Sequence, residues 1–170
     1  MLMLVVATSA SAQGVRFPSV AVGSSTAGPE ITGWMYRPAG AGPFPGIVLA
    51  HTCSGVSDHT TTWGRLLASW GYVVVAPDSF GPRGEKSVCG RGNVVSGDRR
   101  VADIAGALDF LNAQPFVRRD RLGLIGHSHG GWTAVRAVQA NYNLAAHGLR
   151  AAVAYYPVCA QKFDRDVAVP

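Results

Sequence analysis

The chain has 170 residues, 48% hydrophobic and 15% charged, with 15 basic against 10 acidic residues for a formal charge of +5. That length supports one domain with a fair core, and the composition excludes a disordered chain. The basic excess is scattered without a Lys/Arg block, so it reads as solvated surface and argues against nucleic acid as a partner.

In chain order, residues 1–12 read as the remnant of a secretory signal, although no basic n-region precedes them. An apolar run leads to Ala10-Ser11-Ala12, a small-residue cleavage pattern before Gln13. The alternative is an unstructured N-terminus. No other stretch approaches the roughly 18 apolar residues of a membrane span. An exported, soluble mature domain over residues 13–170 is therefore expected. The three cysteines, Cys53, Cys89 and Cys159, suit one bridge and one free thiol, or a partner in missing sequence.

Val15 to Val22 and Ile31 to Arg37 predict two strands of an antiparallel hairpin at a sheet edge. Gly46 to Ala50 is a continuous apolar run, as in a strand buried on both faces. It ends in His51-Thr-Cys-Ser-Gly55. Trp63, Leu66, Leu67 and Trp70 form a helical stripe expected to pack on the sheet, closed by Gly71. Tyr72 to Ala76 predicts the next buried strand, followed by a long loop to Gly97. Val101, Ile104, Ala105, Leu108 and Leu111 form a second stripe, with Asp98 as N-cap and an end before Pro115. Arg100 and Asp103 on that helix are expected to form a weak exposed salt bridge. Arg121 to Ile125 predicts a buried strand, Trp132 to Val138 a helix, and Ala151 to Tyr156 one more buried strand. Alternating strands and helices imply an α/β fold: a mainly parallel sheet in three layers, with helices on both faces. In such sheets the site forms at the carboxyl ends of the strands. The loops at 51–55, 78–92, 128 and 157–159 all fall there.

Between the strand at 121–125 and the helix after it stands Gly126-His-Ser-His-Gly-Gly131. This is the strand, sharp turn and helix of a nucleophile elbow, with Ser128 at the apex. Glycines two before and two after the serine let strand and helix approach. The N–H of His129, at the helix start, is one oxyanion donor, and that of Thr52 or Cys53 the second. His51 reads as a structural loop histidine. His127 and His129 form an H-x-H pattern, but no Cys/His/Asp set at zinc spacing accompanies them, so pocket-shaping roles are expected and no metal. Arg83 and Arg91 could receive an anionic group or serve structure; Arg83 is carried as a weak substrate-binding candidate. Cys159 lacks an elbow and is not expected to be a nucleophile.

Residues 44–55, the segment 78–84 with Cys89, the Arg100/Asp103 helix and the elbow together resemble the dienelactone hydrolase family of α/β-hydrolases, in particular its exported, serine-containing branch. The resemblance runs from about Ile31 to Tyr156. It implies an α/β-hydrolase fold and a nucleophile–His–Asp triad acting on a small ester or lactone without a cofactor. Ser128 stands where the best-known members carry cysteine, and serine needs a stronger base. In this topology Cys53 and Cys89 follow neighbouring strands, which leaves open a disulfide over the site or two separate thiols. The triad order requires Asp and His beyond Tyr156, and Val167-Ala-Val-Pro170 resembles the start of the acid-bearing strand. The 170 residues are thus expected to be a C-terminally truncated piece that is nearly inactive and unstable alone. The rival expectation is a non-catalytic binding protein on the same fold.

Overall fold

In a computed structural model, residues 11–159 are described. Most of the expected signal, residues 1–10, and the segment 160–170 with its expected acid-bearing strand lie outside the described residues.

The described residues form six strands and three helices, joined by loops and short 3₁₀ turns. They are β1 (Ser11–Phe17), β2 (Ile31–Arg37), β3 (Phe44–Ala50), α1 (Asp58–Ser69), β4 (Val73–Asp78), α2 (Gly97–Asn112), β5 (Val117–His127), α3 (His129–Ala137) and β6 (Leu149–Tyr155). The sheet order is β1-β2-β4-β3-β5-β6. β1 and β2 are antiparallel and β2 joins β4 antiparallel, while β4, β3, β5 and β6 run parallel. One core joins the sheet to α2 and α3 on one face; a second joins Ile47, Leu49, Val74 and Ala76 to Leu67 and Ala68 of α1 on the other. The three-layer α/β expectation therefore holds.

Several elements differ from the sequence reading in instructive ways. β1 starts at Ser11, inside the stretch assigned to the signal, and ends at Phe17, because Pro18 has no N–H to continue the ladder. Val20 instead donates to the carbonyl of Ala102 at 2.9 Å. α1 buries Thr60, Gly64, Leu67 and Ala68, leaving Leu66 and Trp70 exposed. Its rotation follows from Gly64, which lies against the ring of Tyr36 where a Cβ would collide. α2 is capped by Ser96, whose hydroxyl accepts from the Arg99 N–H at 3.3 Å; Asp98 instead accepts from the Tyr142 hydroxyl at 2.6 Å.

β6 is not a buried strand. It ends the sheet among the described residues, and Val153 and Tyr155 stand exposed on one face.

The strand order turns at β3, with β4 on one side and β5 on the other. Ala50 lies in register with Gly126, so the loop leaving β3 and the turn leaving β5 emerge side by side. This is the crevice that parallel α/β sheets offer to ligands.

Candidate active site at the end of β5

Ser128 occupies the turn between β5 and α3 at φ 54° and ψ −110°. A positive φ in a non-glycine residue is strained and persists only where surrounding contacts hold it. Here the Ser128 N–H donates to the Tyr155 carbonyl at 2.9 Å, and its carbonyl accepts from the Trp132 N–H at 3.0 Å. The glycines are required by close approach: a Cβ on Gly126 would strike the Gly130 carbonyl, and one on Gly130 the Ala50 carbonyl. Backbone atoms cannot rotate away as a side chain could.

His129 is the first residue of α3, so its N–H has no partner within the helix and points where the helix dipole favours negative charge. Ser128, His129 and Cys53 share a cavity of about 350 Å³ with Val88, Gly92 and Trp132. Cys53, rather than Thr52, opens on that cavity. The Thr52 carbonyl faces back, accepting from His51 Nδ1 at 2.8 Å and from the Gly55 N–H at 3.3 Å. A larger hollow of about 570 Å³ runs along β1 and β2 beside Trp34, and its lining includes neither Ser128 nor His129.

Cys53 and Cys89 are joined by a disulfide with their Cα atoms 4.9 Å apart. The bridge ties the loop after β3 to the long loop after β4. The Val88 N–H donates to the Cys53 carbonyl at 2.8 Å, and Phe80, Val88 and Val95 form a small core against Cys53. The wall of the cavity is thus covalently anchored and separately packed. Cys159 is exposed, with its Sγ 3.3 Å from the Pro157 carbonyl.

Two histidines, His129 and His51, have both ring nitrogens engaged within the protein. Arg100 Nη1 lies 2.8 Å from His129 Nδ1, and His129 Nε2 lies 3.0 Å from the Gly92 carbonyl. A guanidinium can only donate, so Nδ1 accepts and the proton sits on Nε2, bonded to Gly92. Burial, then the charge of Arg100, lowers the His129 pKa to about 4. His51 follows the same logic: the Ser79 N–H donates to Nε2 at 3.2 Å, so Nδ1 carries the proton. Burial first and Arg100 second hold it well below the usual histidine range. His127 stacks on Tyr155 at 5.0 Å and packs against Trp63 and His59; burial, then His59, lowers it to about 4. His147 precedes β6, at the other end of the sheet, and pairs with Asp109 at 2.8 Å. Among the described residues no side chain hydrogen-bonds the Ser128 hydroxyl.

Two expectations for charged residues are corrected. Arg100 and Asp103 are not an exposed pair: both are fully buried, because α2 is walled on most sides by sheet and α3. Asp103 instead takes both Nη groups of Arg83 at 2.9 Å and the Ser19 hydroxyl at 2.8 Å. Arg83, the substrate-binding candidate, therefore faces Asp103 and the Ser79 carbonyl, at 2.7 Å, rather than the cavity. Burial lowers Arg100 to about 10, with Asp103 opposing the shift. The Arg100–His129–Gly92 chain was not foreseen from sequence. Its one signal was a helix carrying Ala102, Ala105, Gly106 and Ala107 around its stripe, small on too many faces to be a surface helix.

With this geometry in place, likeness to known proteins is informative. Residues 31–168 match the profile of the Dienelactone hydrolase family. A protein of Methylorubrum extorquens that carries the name carboxymethylenebutenolidase is 30% identical over 136 residues, 74% of this chain and 44% of its own. A Synechocystis protein of the same name is 24% identical over 114 residues, 61% of this chain and 46% of its own. The chain thus spans less than half the length of these two curated relatives. A crystal structure from Klebsiella pneumoniae, described as a dienelactone hydrolase, superposes with TM-score 0.70 at 20% identity, covering 94% of this chain and 70% of that one.

Proposed function

The chain belongs to the dienelactone hydrolase family, and from that premise we propose that the protein hydrolyses carboxylic esters or lactones with Ser128 as nucleophile. The observation that carries the reading is the strained Ser128 turn at the start of α3, beside a cavity shared with the loop after β3. In the proposed reaction the Ser128 oxygen bonds to the acyl carbon while its proton passes to a general base. The carbonyl electrons move onto oxygen, facing the N–H groups of His129 and of Cys53 or Thr52. Collapse expels the alcohol, or opens the lactone ring, with the proton returned to the leaving oxygen. Water then repeats the sequence and frees the acid and the serine.

The base and the carboxylate that orients it are proposed to come from outside residues 11–159, which agrees with both nitrogens of His129 and His51 being engaged within the protein. Expressed alone, the 170 residues are proposed to be nearly inactive. Export is proposed as well, supported by the Cys53–Cys89 bridge, since such bonds persist in oxidising compartments. The test is covalent: a fluorophosphonate probe should label the full-length protein at Ser128, read by peptide mass, and Ser128→Ala should abolish it. Absence of labelling in the full-length protein would instead favour a binding protein on a hydrolase scaffold.

A further inference from the structure

We propose that Arg100 is a positioning residue of the hydrolysis reaction: from inside the core it holds the His129 ring, and with it the backbone N–H that opens α3, where the oxyanion forms. The inference rests on the hydrolase reading and adds a residue to its machinery.

Arg100 is fully buried on α2 and poorly satisfied there. Its Nη1 donates to His129 Nδ1 at 2.8 Å, but Nε and Nη2 have no hydrogen-bond partner among the described residues. Asp103, three positions on, is occupied by the Arg83 fork and the Ser19 hydroxyl. The guanidinium thus gives up water for little hydrogen bonding. For packing alone, an apolar side chain of similar volume would be the more stable choice. Burial lowers its pKa to about 10, Arg83 adding to the shift and Asp103 and Asp78 opposing it, so the group stays charged at neutral pH. A charge kept in the core on such terms points to a role beyond packing.

What Arg100 touches is the backbone proposed to face the oxyanion. The His129 ring is held by Nη1 at Nδ1 and by the Gly92 carbonyl, 3.0 Å from Nε2. Phe80 and Trp132 meet the ring edge-on, with centroids at 5.6 and 5.2 Å. The Arg100 guanidinium carbon lies 5.1 Å from the centre of the same Phe80 ring, which also meets His51 edge-on at 4.5 Å. Arg100 therefore braces both segments that carry proposed oxyanion donors, the start of α3 and the loop leaving β3. Because a guanidinium only donates, its bond to Nδ1 admits the neutral, Nε2-protonated form of His129 and no other. A protonated ring would set donor against donor beside a like charge and pull the first turn of α3 out of place. With the positive charge on Arg100 instead, its field adds to that of the helix N-terminus from the inner side.

The experiment compares Arg100→Met and Arg100→Lys with wild type in the full-length protein, using p-nitrophenyl butyrate and rates per folded molecule. An oxyanion donor acts in the transition state rather than on bound substrate. Arg100→Met should therefore lower kcat at least about tenfold, toward the scale of a lost oxyanion donor, with KM within about twofold of wild type. Lysine keeps a donor and should restore kcat at least about threefold over the Met variant, the scale of one hydrogen bond. A merely structural role predicts lower thermal stability with kcat unchanged; that result, or equal kcat for the Lys and Met variants, overturns the proposal. The ring gives a second readout. Nitrogen-15 spectra of wild type at neutral pH should show His129 neutral with its proton on Nε2, and Arg100→Met should lose that fixed tautomer. An imidazolium or an Nδ1-protonated ring in wild type overturns the proposal. Should Arg100→Met fail to fold, the wild-type spectrum and a Lys variant compared with wild type decide: Lys kcat equal to wild type supports the brace, and a drop beyond about a hundredfold, the whole of an oxyanion donor, counts against it. Fluorophosphonate labelling separates the two levels. A labelled wild type whose Met variant keeps its kcat sinks only the role of Arg100, whereas an unlabelled, inactive wild type sinks the hydrolase reading and this inference with it.

Discussion

Replacing Asp103 by asparagine keeps the shape of the side chain and removes its charge. Its two oxygens hold the Arg83 fork at 2.9 Å and accept from Ser19 at 2.8 Å, and its field opposes the loss of charge on Arg100. With Asp103 fully buried and the Arg83 side chain 10% exposed, water cannot take over the role. Breaking one side of a buried pair of this kind costs about 3–5 kcal/mol, because an uncompensated charge remains. In a domain of this size that is a fall in Tm of roughly 6–20 °C. Urea and thermal unfolding of full-length Asp103→Asn should show it. The double variant Asp103→Asn/Arg83→Met should be more stable than the sum of the single losses, by about 2 kcal/mol or more. An Asp103→Asn loss below about 1 kcal/mol, the scale of exposed pairs, would refute the buried network. It would also restore the solvated reading that helix periodicity first suggested.

Three further outcomes are expected. Gly130→Ala drives a methyl into the Ala50 carbonyl, so kcat/KM of the full-length enzyme should drop by about 100-fold, the scale of misplaced catalytic groups. Gly14→Ala, with nothing within 4 Å of the new Cβ, should leave activity unchanged; equal effects of the two would refute the steric account of the elbow. Cys53→Ser/Cys89→Ser opens a loop of 36 residues and should lower stability by up to about 4 kcal/mol on the chain-entropy estimate, as measured by urea unfolding without reductant. The pH dependence of unfolding should carry an acid limb, since His127 and His129 titrate near 4 in the folded chain and near 6.5 when unfolded. Their folded pKa values are depressed, so the unfolded chain binds more protons in between. Stability should be full above about pH 6.5 and decline as the pH falls through 4. A flat profile from pH 7 to 4 would contradict the burial of these rings.

The sequence by itself determined the parts that depend on local pattern. Short continuous apolar runs at 46–50 and 72–76, bounded by turn residues, suit strands covered on both faces, and they became β3 and β4. The spacing of Gly126, Ser128 and Gly130, set between an apolar run and a helical pattern, lets strand and helix approach around one half-buried serine. Periodicity also located α1 and α2, since 3.6-residue stripes are local properties.

Only the tertiary structure decided how those elements face one another. The α1 stripe did not reveal that Gly64 against Tyr36 turns Leu66 and Trp70 outward. Charge spacing made Arg100 and Asp103 partners on a surface, yet Asp103 pairs with Arg83, 20 residues away in sequence. Burial was the missing quantity: a carboxylate in water is satisfied anywhere, but one enclosed by sheet and helices must find its cation among groups brought there by the fold. The same holds for His129, whose tautomer is set by Arg100 and Gly92, 29 and 37 positions distant. Local pattern fixes what a segment becomes, and desolvation, which exists only after packing, fixes what its polar groups do.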